Sequence, residues 1–125
     1  MNVYLCKFNI ADKTAYKVGY TKWYITEKRF SDSQYSCFDN IEIIDTIYIS
    51  NEDYQIAKKR CLFVEGFLKC FFKKNFRLEQ YFNKPKGFFN GLSGITEMFV
   101  LNNMTEQEMI EIFQDVKKHV KGMYG

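Results

Sequence analysis

Glu65 is the side chain in this sequence whose surroundings most demand a partner. It lies between Val64 and Phe67 in the most apolar stretch of the chain, where a lone carboxylate is costly unless solvated, ion-paired or bound to a cation. Two partners satisfy it. Lys69, four residues on, is one helical turn away and offers an i,i+4 ion pair. A divalent cation is the other, and a hard carboxylate oxygen suits magnesium or manganese. Lys17 is the second residue with chemical potential. In Tyr16-Lys17-Val18-Gly19-Tyr20-Thr21, strand alternation sends Lys17, Gly19 and Thr21 to one face and Tyr16, Val18 and Tyr20 to the other. A desolvated lysine on that face can act as a base, a charged one can clamp a phosphate, and the commonest fate of a lysine is plain solvent exposure. Lys58, Lys59, Arg60, Lys69, Lys73, Lys74 and Arg77 gather around the helix that carries Glu65. They either track a phosphate backbone or form the wet side of that helix. Cys6, Cys37, Cys61 and Cys70 include no C-x-x-C pair and have only His119 for company, which argues against a zinc site.

Several elements must position these residues. Val3–Phe8 and Ala15–Thr21 read as strands joined through Asn9–Thr14, whose Asn, Asp and Thr side chains can bond a turn's backbone. A brief helix is predicted around Ile25–Asp32, capped by Thr21 or Thr26, and the β-branched run Ile41–Ile49 reads as a third strand. Ser50-Asn51-Glu52-Asp53 then places a capping oxygen three residues before an acid. Ala57, Cys61, Val64, Leu68 and Phe71 follow at helical spacing, so a long buried helix is predicted. Phe63 and Phe67 widen its apolar arc, so that one flank packs on the sheet and the other meets a later element. From Arg77 to Gly94, Pro85, Gly87, Gly91 and Gly94 punctuate aromatic pairs, which reads as a long loop. Phe88 and Phe89 in it either stack on bases or fold back to close the core. Thr96–Leu101 reads as a short strand or extended edge. Thr105-Glu106-Gln107-Glu108 is a capping box opening a helix with Met109, Ile112, Phe113, Val116 and Val120 on one face.

The fold expected from this order is α+β: a small antiparallel three-stranded sheet in a β-β-α-β-α core, flanked by helices, with an additional C-terminal strand and helix. A chain of 125 residues that is 46% hydrophobic fits a single domain with a real core, the core spanning about 3–101 and the last helix about 105–121. A net charge of +3 is far from the dense basic character of a protein held to nucleic acid by charge alone. No stretch nears the roughly 20 apolar residues that span a bilayer, and the N-terminus lacks the zones of a signal peptide, so an intracellular protein, cytoplasmic or nuclear, is expected.

The order of elements, together with Val3-Tyr4-Leu5, Tyr16-Lys17-Val18-Gly19-Tyr20-Thr21, Arg29-Phe30 and Glu65, resembles the GIY-YIG nuclease superfamily over roughly residues 3–101. Within it, the chain is similar to a phage- and virus-associated branch whose second motif reads Lys-Val-Gly and in which a segment like Thr96-Glu97-Met98-Phe99 follows the long helix. The resemblance implies a tyrosine in each hairpin strand, an arginine on the first helix and a glutamate on the next that holds one divalent cation. Tyr4, Arg29 and Glu65 stand at three of those places. In such chemistry a cation polarises the phosphate, a guanidinium offsets charge growing on the phosphorane, and a base takes a proton from water. The second tyrosine is replaced by Lys17. Lys28 is the alternative to Arg29, and where relatives place a His or Tyr one turn after the arginine this chain has Ser33, with Tyr35 two residues on. Glu97 or Asn102 would supply the last polar group.

The reading that follows is a metal-dependent endonuclease hydrolysing nucleic-acid phosphodiester bonds, DNA in preference, with Mg2+ or Mn2+ on Glu65. Tyr4, Lys17 and Arg29 complete its catalytic set, and Gly19, Thr21, Lys69 and Lys73 contact the substrate. The competing reading is a catalytically degenerate module of the same type that binds nucleic acid or a protein, as a viral or mobile-element accessory factor. A homodimer through the C-terminal helix or through residues 77–94 is the expected protein–protein contact.

Overall fold

A computed structural model describes residues 1–21, 35–50, 52–72, 78–89 and 98–124. The helix predicted over Ile25–Asp32, with Arg29, Lys28 and Ser33, lies outside the described residues, as do Lys73 and Glu97. Three strands, β1 (Asn2–Ile10), β2 (Lys13–Thr21) and β3 (Asn40–Tyr48), are followed by helices α1 (Tyr54–Phe71), α2 (Leu78–Tyr81) and α3 (Glu106–Tyr124). The strands form one antiparallel sheet in the order β2-β1-β3, and the fold is α+β. Among the described residues no helix is long and apolar enough to cross a membrane.

The hairpin is longer and its turn tighter than the sequence predicts. Pairing continues through Asn9↔Thr14 to Ile10↔Lys13, which leaves two residues in the turn, with Ala11 at φ 55°. Asn9 Nδ2 donates to Thr14 Oγ1 at 2.8 Å, and Asp39 Oδ2 accepts from the Ala11 N–H at 2.7 Å. The side chains expected to make the turn therefore lock the last rungs of the ladder instead.

Because β1 is central, both of its faces are covered. Val3 and Leu5 join Tyr16, Val18 and Ile47 on one face, beneath Cys61, Val64 and Leu68 of α1 and Met109, Phe113, Val116 and Val120 of α3. Tyr4, Cys6, Phe8 and Ile10 occupy the other face with Tyr35, Phe38, Leu78, Phe82, Phe89 and Met98. Each fully buried large apolar side chain contributes about 1.5–3 kcal/mol, so this two-sided burial is what fixes the strand register. A bulge between Leu5 and Cys6 puts an extra residue into β3, and beyond it Asp45 reaches Lys117 of α3 at 2.9 Å.

Two local expectations are corrected. The cap of α1 is Asp53, whose Oδ1 accepts from the N–H groups of Gln55 and Ile56, and not Ser50. The stretch read as a loop from Arg77 contains α2 and returns Phe89 to the core, whereas Phe88 stays exposed. Within the segment expected as a short strand or extended edge, the described residues include one antiparallel bridge, in which Phe99 exchanges two hydrogen bonds with Tyr16, each 2.8 Å. The capping box at α3 forms as expected: Glu108 N–H donates to Thr105 Oγ1 at 3.1 Å, and Thr105 N–H donates to Glu108 Oε1 at 3.3 Å.

Candidate active site

The hairpin register decides which polar residues meet. Residues directly opposite in an antiparallel pair share a face, and the rungs Phe8↔Ala15, Cys6↔Lys17, Tyr4↔Gly19 and Asn2↔Thr21 run along one face of β1 and β2. The series changes character along the hairpin. Its turn end is apolar and packs in the aromatic cluster of Phe38, Phe82 and Phe89, while its open end carries Asn2, Tyr4, Lys17 and Thr21. Among the described residues, the buried polar or charged side chains other than Glu65 are Asn2, Lys17 and Thr21, all at that open end.

Lys17 Nζ donates to Tyr4 Oη at 3.2 Å and lies 5.6 Å from the centre of the same ring. The phenol is 1% exposed and the lysine 5%. An ammonium so far from water is tolerable only where oxygen lone pairs and a ring face replace its hydration. Gly19 makes the arrangement possible, because a Cβ there would stand 2.5 Å from Tyr4 Oη and 2.6 Å from Cζ. The ring lies in the space of a missing side chain. Gly19, expected to contact substrate, is thus the residue that seats Tyr4.

Tyr16 does not take the place of the second tyrosine. It points to the opposite face, stacks on Phe99 with centroids 5.8 Å apart and donates its hydroxyl to Glu106 Oε1 at 2.9 Å. Burial, reinforced by the Glu106 carboxylate, pushes its pKa far above the ordinary tyrosine value. Lys7 reaches the same oxygen of Glu106 at 2.8 Å, and that hydrogen bond, opposed by burial and aided by Tyr16, holds the Glu106 carboxyl below its usual range.

Glu65 is 7% exposed on α1, the helix packed over the Val3–Leu5 face of the sheet. Its Oε1 receives Lys69 one turn on, the ion pair that the spacing predicts. Its Oε2 is buried and has no hydrogen-bond partner among the described residues. A buried acceptor left unmade costs about 1–3 kcal/mol, so this oxygen fits a site for a hard cation. Among the described residues no three His, Cys, Asp or Glu side chains gather to hold a metal. A cation there would be held by the single carboxylate Glu65, with water and a phosphate completing its shell, an arrangement magnesium accepts. By helical spacing Lys58, Glu65 and Lys69 share one flank of α1, whereas Lys59 is exposed on another and Arg60 stacks over the Tyr124 ring at 4.4 Å. The basic residues of α1 therefore do not form one stripe.

Comparison with protein-family models, with curated proteins and with solved structures gives no match. The resemblance rests on this chain's own residues. Of the expected set, Tyr4, Lys17 and Gly19 come together and Thr21 is buried at the end of the same face, whereas Glu65 and Lys69 pair on α1, the helix that packs over the opposite face of the sheet. Arg29 and Lys73 lie outside the described residues. Asn2 was not expected. The alternation that places Tyr4 on this face also places the residue two before it, and its burial at 5% opposite Thr21 makes it part of the polar end.

Proposed function

We propose that the chain is a metal-dependent nuclease that hydrolyses phosphodiester bonds of nucleic acid, DNA in preference. The observation that carries this reading is the buried Tyr4–Lys17 hydrogen bond seated over Gly19. A buried lysine amine held on a phenol hydroxyl is the arrangement by which a protein tunes an acid or a base, which is what supports the reading. In this reading the Lys17 ammonium supports Tyr4 as a phenolate, which takes the proton of the attacking water as its oxygen bonds to phosphorus, the ester P–O bond breaks and the leaving oxygen takes a proton from solvent. Arg29 offsets the charge on the phosphoryl oxygens, and Thr21, Lys69 and Lys73 hold the strand. Glu65 would hold Mg2+ or Mn2+ through Oε2, and the cation would supply Lewis-acid polarisation of the phosphate.

The test is cleavage of plasmid, duplex, single-stranded and branched DNA with either cation, comparing the wild type with Glu65→Ala, Arg29→Ala and Lys17→Met, each checked for fold by circular dichroism. Wild-type cleavage lost in all three folded variants is the expected result. Cleavage that persists in Glu65→Ala would sink the site. The near-complete burial of Tyr4 and Lys17 favours a second reading, a non-catalytic module that binds nucleic acid or protein. Under it the same substrates shift in a gel without being cut, with any metal.

A further inference from the structure

α1 has two apolar flanks, and only one is used inside the chain. Ala57, Cys61, Val64 and Leu68 face the sheet, while Phe63, Phe67 and Phe71, at four-residue intervals, remain 58%, 47% and 49% exposed. The second flank does meet the later element expected for it, but α3 does not cover it. Arg60 stacks on Tyr124, and Phe71 lies with Ile112, so the two helices run antiparallel. Between them is an open groove of about 380 Å³ lined by Phe63, Phe67, Phe71, Ile112, His119 and Met123.

We infer that this groove is the interface of a two-fold homodimer in which the Phe63–Phe71 flank of each copy enters the groove of the other. Charge identifies the occupant as a second copy. One end of the face carries the basic Lys59 and Arg60 of α1, and the other carries the acidic Glu108, Glu111 and Asp115 of α3. A two-fold axis between these ends lays the basic end of each copy on the acidic end of its partner, so the face is complementary to itself. Gly66 lies between the two ends. A glycine inside a helix costs up to about 1 kcal/mol relative to alanine, and among the described residues, apart from the neighbouring backbone of α1 itself, nothing stands within 4 Å of where its Cβ would be. Among the described residues nothing requires the missing side chain, whereas a partner helix approaching closely would use it. The area is also adequate. Leu62, Phe63, Phe67, Phe71 and Met123 each leave roughly half their surface in water, together on the order of 500 Å² by ordinary aromatic side-chain areas. With the charged rim this approaches the roughly 800 Å² per partner of a standard stable interface.

Sedimentation velocity across a dilution series tests the dimer and does not depend on whether the chain cuts nucleic acid. The wild type sediments as a dimer at about 100 μM, where a micromolar Kd leaves little monomer. Phe67→Glu, with an unchanged circular dichroism spectrum, weakens association about a hundredfold, as expected for the centre of an interface. Lys59→Glu alone weakens it about tenfold, and adding Glu111→Lys restores it by exchanging the two ends. A monomeric wild type at every concentration, or a folded Phe67→Glu that still dimerises, overturns the interface. Failure of the charge exchange to restore association overturns the two-fold arrangement.

Discussion

An alanine at position 19 tests whether Tyr4 is held where the site needs it. Its methyl carbon would stand 2.5 Å from the Tyr4 hydroxyl oxygen and 2.6 Å from Cζ, about 1 Å inside ordinary contact. The nearest atoms are the tip of a side chain, and a mobile tip would swing away at little cost. This one is 1% exposed beneath Lys17, so it cannot. Overpacking of this kind costs about 1–3 kcal/mol, and displacing the ring forfeits the Lys17 hydrogen bond, about 1.5–3 kcal/mol for a charged donor. The lower unfolded-state entropy of alanine returns roughly 0.4–1 kcal/mol. Gly19→Ala should therefore destabilise the fold by about 2–4 kcal/mol, leaving a marginally stable protein. Urea unfolding of wild type, Gly19→Ala, Tyr4→Leu and the double variant gives the coupling directly. With the phenol removed, the alanine should cost almost nothing, giving a coupling of at least about 2 kcal/mol. A Gly19→Ala cost below about 0.5 kcal/mol, or additive single effects, would show that Tyr4 does not occupy the glycine's space.

Two further perturbations separate chemistry from scaffold. Tyr4→Phe with Lys17→Met exchanges both partners of the buried hydrogen bond for apolar side chains of similar length, and should leave stability unchanged or raised by up to about 2 kcal/mol while lowering cleavage at least about a hundredfold. A large loss of stability in urea would instead assign the pair to the scaffold. The Tyr16–Glu106–Lys7 group should give stability a slope at each end of the pH range. The Glu106 carboxyl is depressed in the folded state, so its contribution is present above the ordinary carboxylate pKa and is lost as pH falls through the folded value. The Tyr16 phenol is raised, so its contribution is full below the ordinary tyrosine pKa of about 10 and is lost as pH rises above it. Unfolding curves across pH should lose the acid slope in Glu106→Gln and the alkaline slope in Tyr16→Phe; either slope surviving its variant refutes that assignment.

The sequence makes the strands, the long helix and the capped last helix legible because each depends on local periodicity or local capping. The face assignment of Lys17, Gly19 and Thr21 follows from the period of two alone, and the Glu65–Lys69 pair from helical spacing. What could not be read depends on contacts distant in sequence. That Gly19 makes room for Tyr4 requires the rung pairing across the hairpin, and two glycine functions, contacting a ligand and admitting a ring, look identical in one sequence. Phe71 has the spacing of a core residue yet points outward, because an apolar arc wider than the surface beneath it must leave one edge in water. The cap of α1 was misread because Ser50 and Asp53 both offer an oxygen, and only Asp53 is placed to reach the first N–H groups.

The polar end of the hairpin face is hard to account for as scaffold. Four rungs run along this face from Phe8–Ala15 to Asn2–Thr21, and the same buried face could be filled with apolar side chains along its whole length. Each buried polar group risks about 1–3 kcal/mol if its partner is lost, whereas an apolar replacement carries no such risk. On α1, Glu65 Oε2 is a further buried polar atom, with no hydrogen-bond partner among the described residues. A fold keeps such groups readily where they act on something outside it. Stability and cleavage should then move in opposite directions when the polar end is made apolar, which is the result expected of Tyr4→Phe with Lys17→Met. A protein that binds through its surface alone would gain the stability and lose nothing.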